Sequence, residues 1–232
     1  MNREPFTMRL GLALVATYLT LGPAAAHAHF AWLATDHHGH AIYFFGESIA
    51  DQTYHLPEKM AGAAVHRYTG EEKQPIELTA VDSDSFIGRR SAEPIADSSV
   101  LLSVQPYGLY HGSMLVYHTQ HITGAPDKWN KEPLAEVALQ AVLVMSDEKL
   151  VARILHHGKP LAGAKVQLFC DEGHEEGTAE TNEQGEVEFT AAQVEDGLNG
   201  LLVGHVDKQA KGELEGQAYQ GEANYLTVTF KR

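Results

Sequence analysis

From Phe30 to Phe230 the chain is a succession of short apolar stretches, each closed by Gly, Pro, Asp, Asn or Ser, and this alternation points to β-structure throughout. Strands are expected at Ala64–Tyr68, Ile76–Val81, Val100–Val104 and Ser113–Thr119, and again at Leu150–Leu155, Ala164–Cys170, Glu186–Thr190, Leu198–Val206 and Tyr225–Phe230. His29–Thr35 and His40–Gly46 read as a hairpin around Asp36-His37-His38-Gly39. With a two-residue turn at His38-Gly39, Trp32 opposes Phe45, and His29 opposes Ser48 with Glu47 beside it. Leu134–Met145 is open between helix and strand. The expected fold is all-β: an N-terminal β-sandwich over residues 29–147 and an Ig-like or transthyretin-like β-sandwich over 148–232. Cys170 is the only cysteine, so no intramolecular disulfide can brace either module.

Residues 1–28 read as a cleaved export signal. Arg3 and Arg9 precede an apolar run from Leu10 to Leu21, followed by Gly22-Pro23 and the small-residue stretch Ala24-Ala25-Ala26. The run falls short of the ~20 residues needed to cross a bilayer. The destination is therefore periplasmic or secreted, with no membrane insertion after cleavage. Formal net charge is −14, and loss of a leader carrying Arg3, Arg9 and Glu4 makes the remainder one unit more negative. So acidic a chain repels nucleic acid and anionic lipid and attracts cations.

Cleavage after Ala28 leaves His29 first; cleavage after Ala26 leaves His27-Ala28-His29 first. In the first case the α-amine and the ring Nδ1 of His29 chelate one ion. In the second, the amine, two peptide nitrogens and His29 surround a square-planar ion. Nitrogen-rich sites of this kind suit Cu(II) or Ni(II). The amine titrates at ~7.7–8.0, so affinity falls in acid. A histidine there by chance is the alternative. Glu47, beside the terminus in the hairpin, is a candidate oxygen ligand or a solvated acid, and His118 is the candidate ligand from a distant strand.

The order of motifs adds a resemblance. A signal followed by His-Phe-Ala-Trp-Leu, then Phe44-Phe45-Gly46-Glu47, Gly158–Ala164 and Thr181–Phe189, resembles a family of exported proteins of unknown function grouped with NikM-like periplasmic components of nickel and cobalt uptake. The second half also resembles the carboxypeptidase regulatory-like β-sandwich. The resemblance implies metal handling (Ni, Co or Cu), with His29 as the chelating terminal residue, Glu47 as the neighbouring acid, and a membrane metal transporter as partner.

The chain has 14 histidines. Asp36-His37-His38-Gly39-His40 is either a second metal site or a solvated turn, roughly 23 Å from His29 along a straight strand. His118 and His121 point to opposite faces of any continuous strand. His156 and His157 are expected to be exposed, and His205 to face inward. Cys170 lies before the acids of Asp171–Gly177, an unfavourable setting for a thiolate. Those acids lack regular calcium-loop spacing. The expected function is therefore a non-enzymatic metal-binding protein. The alternatives are a copper redox enzyme built on a histidine brace, and a structural or adhesive sandwich pair with incidental histidines.

Overall fold

The computed structural model describes residues 28–95 and 98–232; all of the expected signal except Ala28 lies outside them. Sixteen strands account for most of the described chain. The first eight are β1 (Phe30–Thr35), β2 (His40–Gly46), β3 (Val65–Thr69), β4 (Glu72–Ile76), β5 (Leu78–Asp82), β6 (Ile87–Pro94), β7 (Val100–Tyr110) and β8 (Ser113–Ile122). Then come β9 (Leu139–Met145), β10 (Lys149–His156), β11 (Lys159–Pro160), β12 (Lys165–Phe169), β13 (Glu175–Glu180), β14 (Glu186–Thr190), β15 (Leu198–Leu214) and β16 (Gln217–Lys231). The helical elements are single turns at Glu58–Ala61 and Pro126–Lys128.

The result is an all-β sandwich fold of three sheets. An eight-stranded central sheet runs β13-β12-β15-β16-β8-β7-β3-β4. A sheet ordered β1-β2-β6-β5 covers one face, and the sheet of β9, β10, β11 and β14 covers the other. Side-chain alternation sets the division. Leu226, Val228 and Phe230 of β16 join Leu201 and Val203 of β15 in a core with Leu150, Ala152 and Ile154 of β10. The intervening Thr227 and Thr229 point the other way and donate their hydroxyls to the carbonyls of Ala31 and Leu33 on β1. Those contacts satisfy carbonyls at the edge of β1 that its own sheet leaves unpaired.

The central sheet joins the two halves of the chain, because β16 pairs parallel to β8, from Glu222 beside Met114 to Phe230 beside Ile122. Leu139–Met145, open between helix and strand in the sequence, is a strand that pairs with β10. The stretch expected as one strand at Ile76–Val81 is two. β4 stays with β3 in the central sheet, whereas β5 pairs with β6 in the covering sheet, so the chain changes layers at Glu77. The first hairpin also differs by one residue: Phe30 faces Gly46 and Trp32 faces Phe44. Gly39 takes a left-handed φ of 83° and the Asp36 carboxylate accepts from the amides of His38 and His40, giving a three-residue loop instead of a two-residue turn.

Trp32 is fully buried with its indole against Gly200 of β15, where an added Cβ would approach Ile49 to 2.8 Å and Trp32 to 3.0 Å. Gly200→Val is expected to lower unfolding free energy by about 1–3 kcal/mol through overpacking, measured by urea denaturation. His121 is fully buried between layers, its Nδ1 2.7 Å from Thr229 Oγ1 and its Nε2 3.1 Å from Thr35 Oγ1. Burial, with the Lys231 charge nearby, pushes its imidazole down to about 3. An unfolded histidine protonates below ~6.5, so this group's contribution is complete above that pH and drains away as pH falls toward 3, at up to about 1.4 kcal/mol per pH unit. His121→Gln is expected to flatten that part of the acid dependence in urea titrations between pH 7 and 4; an unchanged slope contradicts this assignment.

Candidate metal centre at His29

The register that pairs Phe30 with Gly46 brings His29, the next residue outward, to the level of Glu47. The loop after β2 then folds back on itself. An added Cβ on Gly46 would lie 2.1 Å from the Asp51 carbonyl, so only glycine permits so close a return. Ile49, 1% exposed, anchors the loop in the core, and the Asp51 carboxylate accepts from the Glu47 amide at 3.1 Å. Both acids thereby face one imidazole: His29 Nε2 lies 3.8 Å from Glu47 Oε1 and 4.0 Å from Asp51 Oδ2.

Aromatic side chains hold the rest of His29. Tyr54 lies against its ring at a centroid distance of 3.7 Å, with Phe45 at 6.0 Å. Tyr117 donates its phenol to the His29 carbonyl at 3.3 Å. Burial, with Tyr107 and Tyr225 alongside, raises the Tyr117 phenol above its ordinary value, so it keeps the proton it donates. His29 also opens onto a cavity of about 300 Å³ walled by Tyr107, Tyr110, Tyr117 and Tyr225. With Nε2 turned to the acids, the nitrogen nearer the backbone is Nδ1. An imidazole with flanking carboxylates is a donor set that borderline divalent ions accept, and carboxylates that orient a ligating histidine raise its basicity.

The structure thus brings together two of the three residues expected at the metal, His29 and Glu47. His118 is elsewhere. It follows Tyr117 on β8 and projects from the opposite face of the central sheet, buried, with Nε2 2.8 Å from Asn224 Oδ1. Asp51 joins the site unanticipated by the sequence reading; its signal is the spacing Gly46-Glu47-x-x-x-Asp51, legible only once the loop is known to fold back. In the first turn His37 and His38 are exposed with their rings 3.9 Å apart, while His40 Nδ1 lies 3.0 Å from the Ser91 carbonyl.

Donor atoms also converge at Cys170. Cys170 with His174 and Glu176, and Cys170 with Asp171 and Glu195, fall within 4.8 Å of one another. Burial pushes the Cys170 thiol up, and a hydrogen bond to Glu176 adds to the rise against opposing backbone contacts from His174 and Glu172. A metal needs the thiolate, so an ion taken up here would have to displace the proton that burial favours on Cys170. Compared with known proteins, the chain matches no family model and no curated sequence.

Because Cys170 is buried and its thiol held up, it is expected to react with Ellman's reagent at neutral pH far more slowly in the native protein than in denaturant. Comparable rates in the two states would contradict the protonated, buried assignment.

Proposed function

We propose that this is a non-enzymatic metal-binding protein of the periplasm or extracellular space, holding Ni(II), Co(II) or Cu(II) through a processed N-terminal His29, as an accessory to metal uptake or homeostasis. The observation that carries this reading is the convergence of the Glu47 and Asp51 carboxylates on His29 Nε2. After cleavage behind Ala28, the new α-amine and Nδ1 of His29 would form the chelate. The acids would fix the ring through Nε2, and the Tyr117 hydroxyl would hold the adjoining carbonyl. The bound ion itself is cargo. The resemblance to NikM-like uptake components, which rests on motif order, agrees with this role and supplies the idea of a membrane transporter as recipient. Among the described residues no helix is long and apolar enough to cross a membrane.

A copper brace would need a second histidine beside the first. The rings packed on His29 are Tyr54 and Phe45, and His118 lies across the sheet, so binding without redox chemistry is the better-supported reading.

Isothermal titration with Ni(II) and Cu(II) compares protein beginning at His29 with protein carrying one extra N-terminal Met. The first is expected to bind one ion tightly at the terminus, and the second to lose that binding. Glu47→Gln with Asp51→Asn should weaken it about 10–100-fold, the usual cost of removing groups that orient a ligand. Equal affinity with and without the added Met would overturn the proposal.

A further inference from the structure

The hairpin between β12 and β13 gathers three unlike donors around one sulfur. Cys170 follows β12 and continues the inward row of Val166 and Leu168, so it is buried, 1% exposed. The turn Asp171-Glu172-Gly173 brings the chain back. Its Gly173 amide donates to the Cys170 carbonyl at 2.9 Å, and the Cys170 amide donates to the His174 carbonyl at 3.0 Å. His174 therefore stands across the hairpin from Cys170. Beyond it the ladder slips: Phe169 faces Glu175 but Leu168 faces Gly177, which makes Glu176 the extra residue of a β-bulge. A bulge re-aims the side chain it inserts. As a result the Cys170 sulfur, a His174 ring nitrogen and a Glu176 carboxylate oxygen all lie within 4.8 Å of one another.

Three atoms so placed share a point no more than about 2.8 Å from each, whereas bonds from Zn(II) to sulfur, nitrogen and oxygen run ~2.0–2.3 Å. Small side-chain rotations close that gap, and the surrounding backbone is already fixed. Gly173 is left-handed at φ 83°, and an added Cβ there would approach Ala50 to 3.1 Å, so the tip of the hairpin is seated against the loop that follows β2. The backbone amides of Glu172 and His174 are directed at the sulfur, and hydrogen bonds to the charged form of a group favour that form. Asp171 and Glu195 bring carboxylate oxygens within 4.8 Å of the same sulfur and of each other. Glu195 is held by the fully buried Asn199, which accepts from its amide at 3.1 Å and donates to its carbonyl at 2.8 Å. These acids add negative charge beside an ion.

We propose that Cys170, His174 and Glu176 form a second metal site, a three-ligand Zn(II) site whose fourth position is open to water. The donors select the ion: thiolate and imidazole suit Zn(II), whereas Mg(II) and Ca(II) require oxygen shells. On binding, the S–H bond of Cys170 is exchanged for an S–Zn bond and the proton leaves to solvent, with no change of oxidation state. His174 is exposed, so the ion enters from that side. The site shares no ligand with the terminal chelate and needs no processed terminus.

The test uses the mature chain carrying His29→Ala, which removes the terminal imidazole and keeps this result separate from that of the His29 site. Co(II) serves as the optical probe. Cys170 is the only cysteine, so a thiolate-to-Co(II) charge-transfer band can arise nowhere else in the chain. The band is expected to saturate at one ion per chain and to vanish when Zn(II) displaces Co(II). His174→Ala with Glu176→Gln, at an exposed and a half-buried position, should weaken Zn(II) binding at least about tenfold. X-ray absorption of the zinc-loaded His29→Ala chain should show one sulfur at ~2.3 Å, a reading that needs no replacement within the site. Absence of the band in excess Co(II), unchanged Zn(II) affinity in the double replacement, or a shell of nitrogen and oxygen alone would each overturn the proposal.

Discussion

The parallel pairing of β16 with β8 is the constraint on which the molecule depends. It joins strands from the two halves of the chain into one eight-stranded sheet and places both strands between covering layers. Strands buried on both sides must send alternate side chains into different cores. Here Leu226, Val228 and Phe230 serve one face, while Thr227 and Thr229 serve the other by satisfying the carbonyls of β1. Parallel strands need a long connection, and the one from β8 to β16 contains the whole of the second covering sheet.

The same alternation divides the polar groups of β8 between the two faces. Tyr117 and His118 are neighbours, yet the first donates to the His29 carbonyl on one face and the second meets Asn224 on the other. Carboxylates of Glu47 and Asp51 lie 3.8 and 4.0 Å from His29 Nε2, and a carboxylate–amide–imidazole chain runs from Glu222 through Asn224 to His118. Polar groups at the end of a core are costly unless each finds a partner. His118 Nδ1 is one of a few buried side-chain atoms, with Tyr43 Oη and Thr119 Oγ1 among the others, that find none.

Much of the local structure was legible in the sequence because it depends on nearest neighbours. Turn residues and apolar alternation announced β-structure, and the hairpin that brings Glu47 to His29 followed from two adjacent strands and the loop between them. Its exact register did not follow, because Gly39 in a left-handed conformation adds a residue to the loop. Asp51 was missed for a similar reason: its position depends on Ile49 anchoring the loop and on Gly46 having no Cβ. The contact between His118 and Asn224 was out of reach altogether. Only the choice of strand partners makes them neighbours. No period or spacing in the chain encodes that choice.

The most direct measurement is paired native and denaturing mass spectrometry of protein recovered after export. Capture of an ion by the processed terminus requires a denatured mass beginning at His29 and a native mass heavier by bound transition metal. A polypeptide that starts elsewhere, carries an acetylated first residue, or shows the same metal-free mass in both conditions would contradict it.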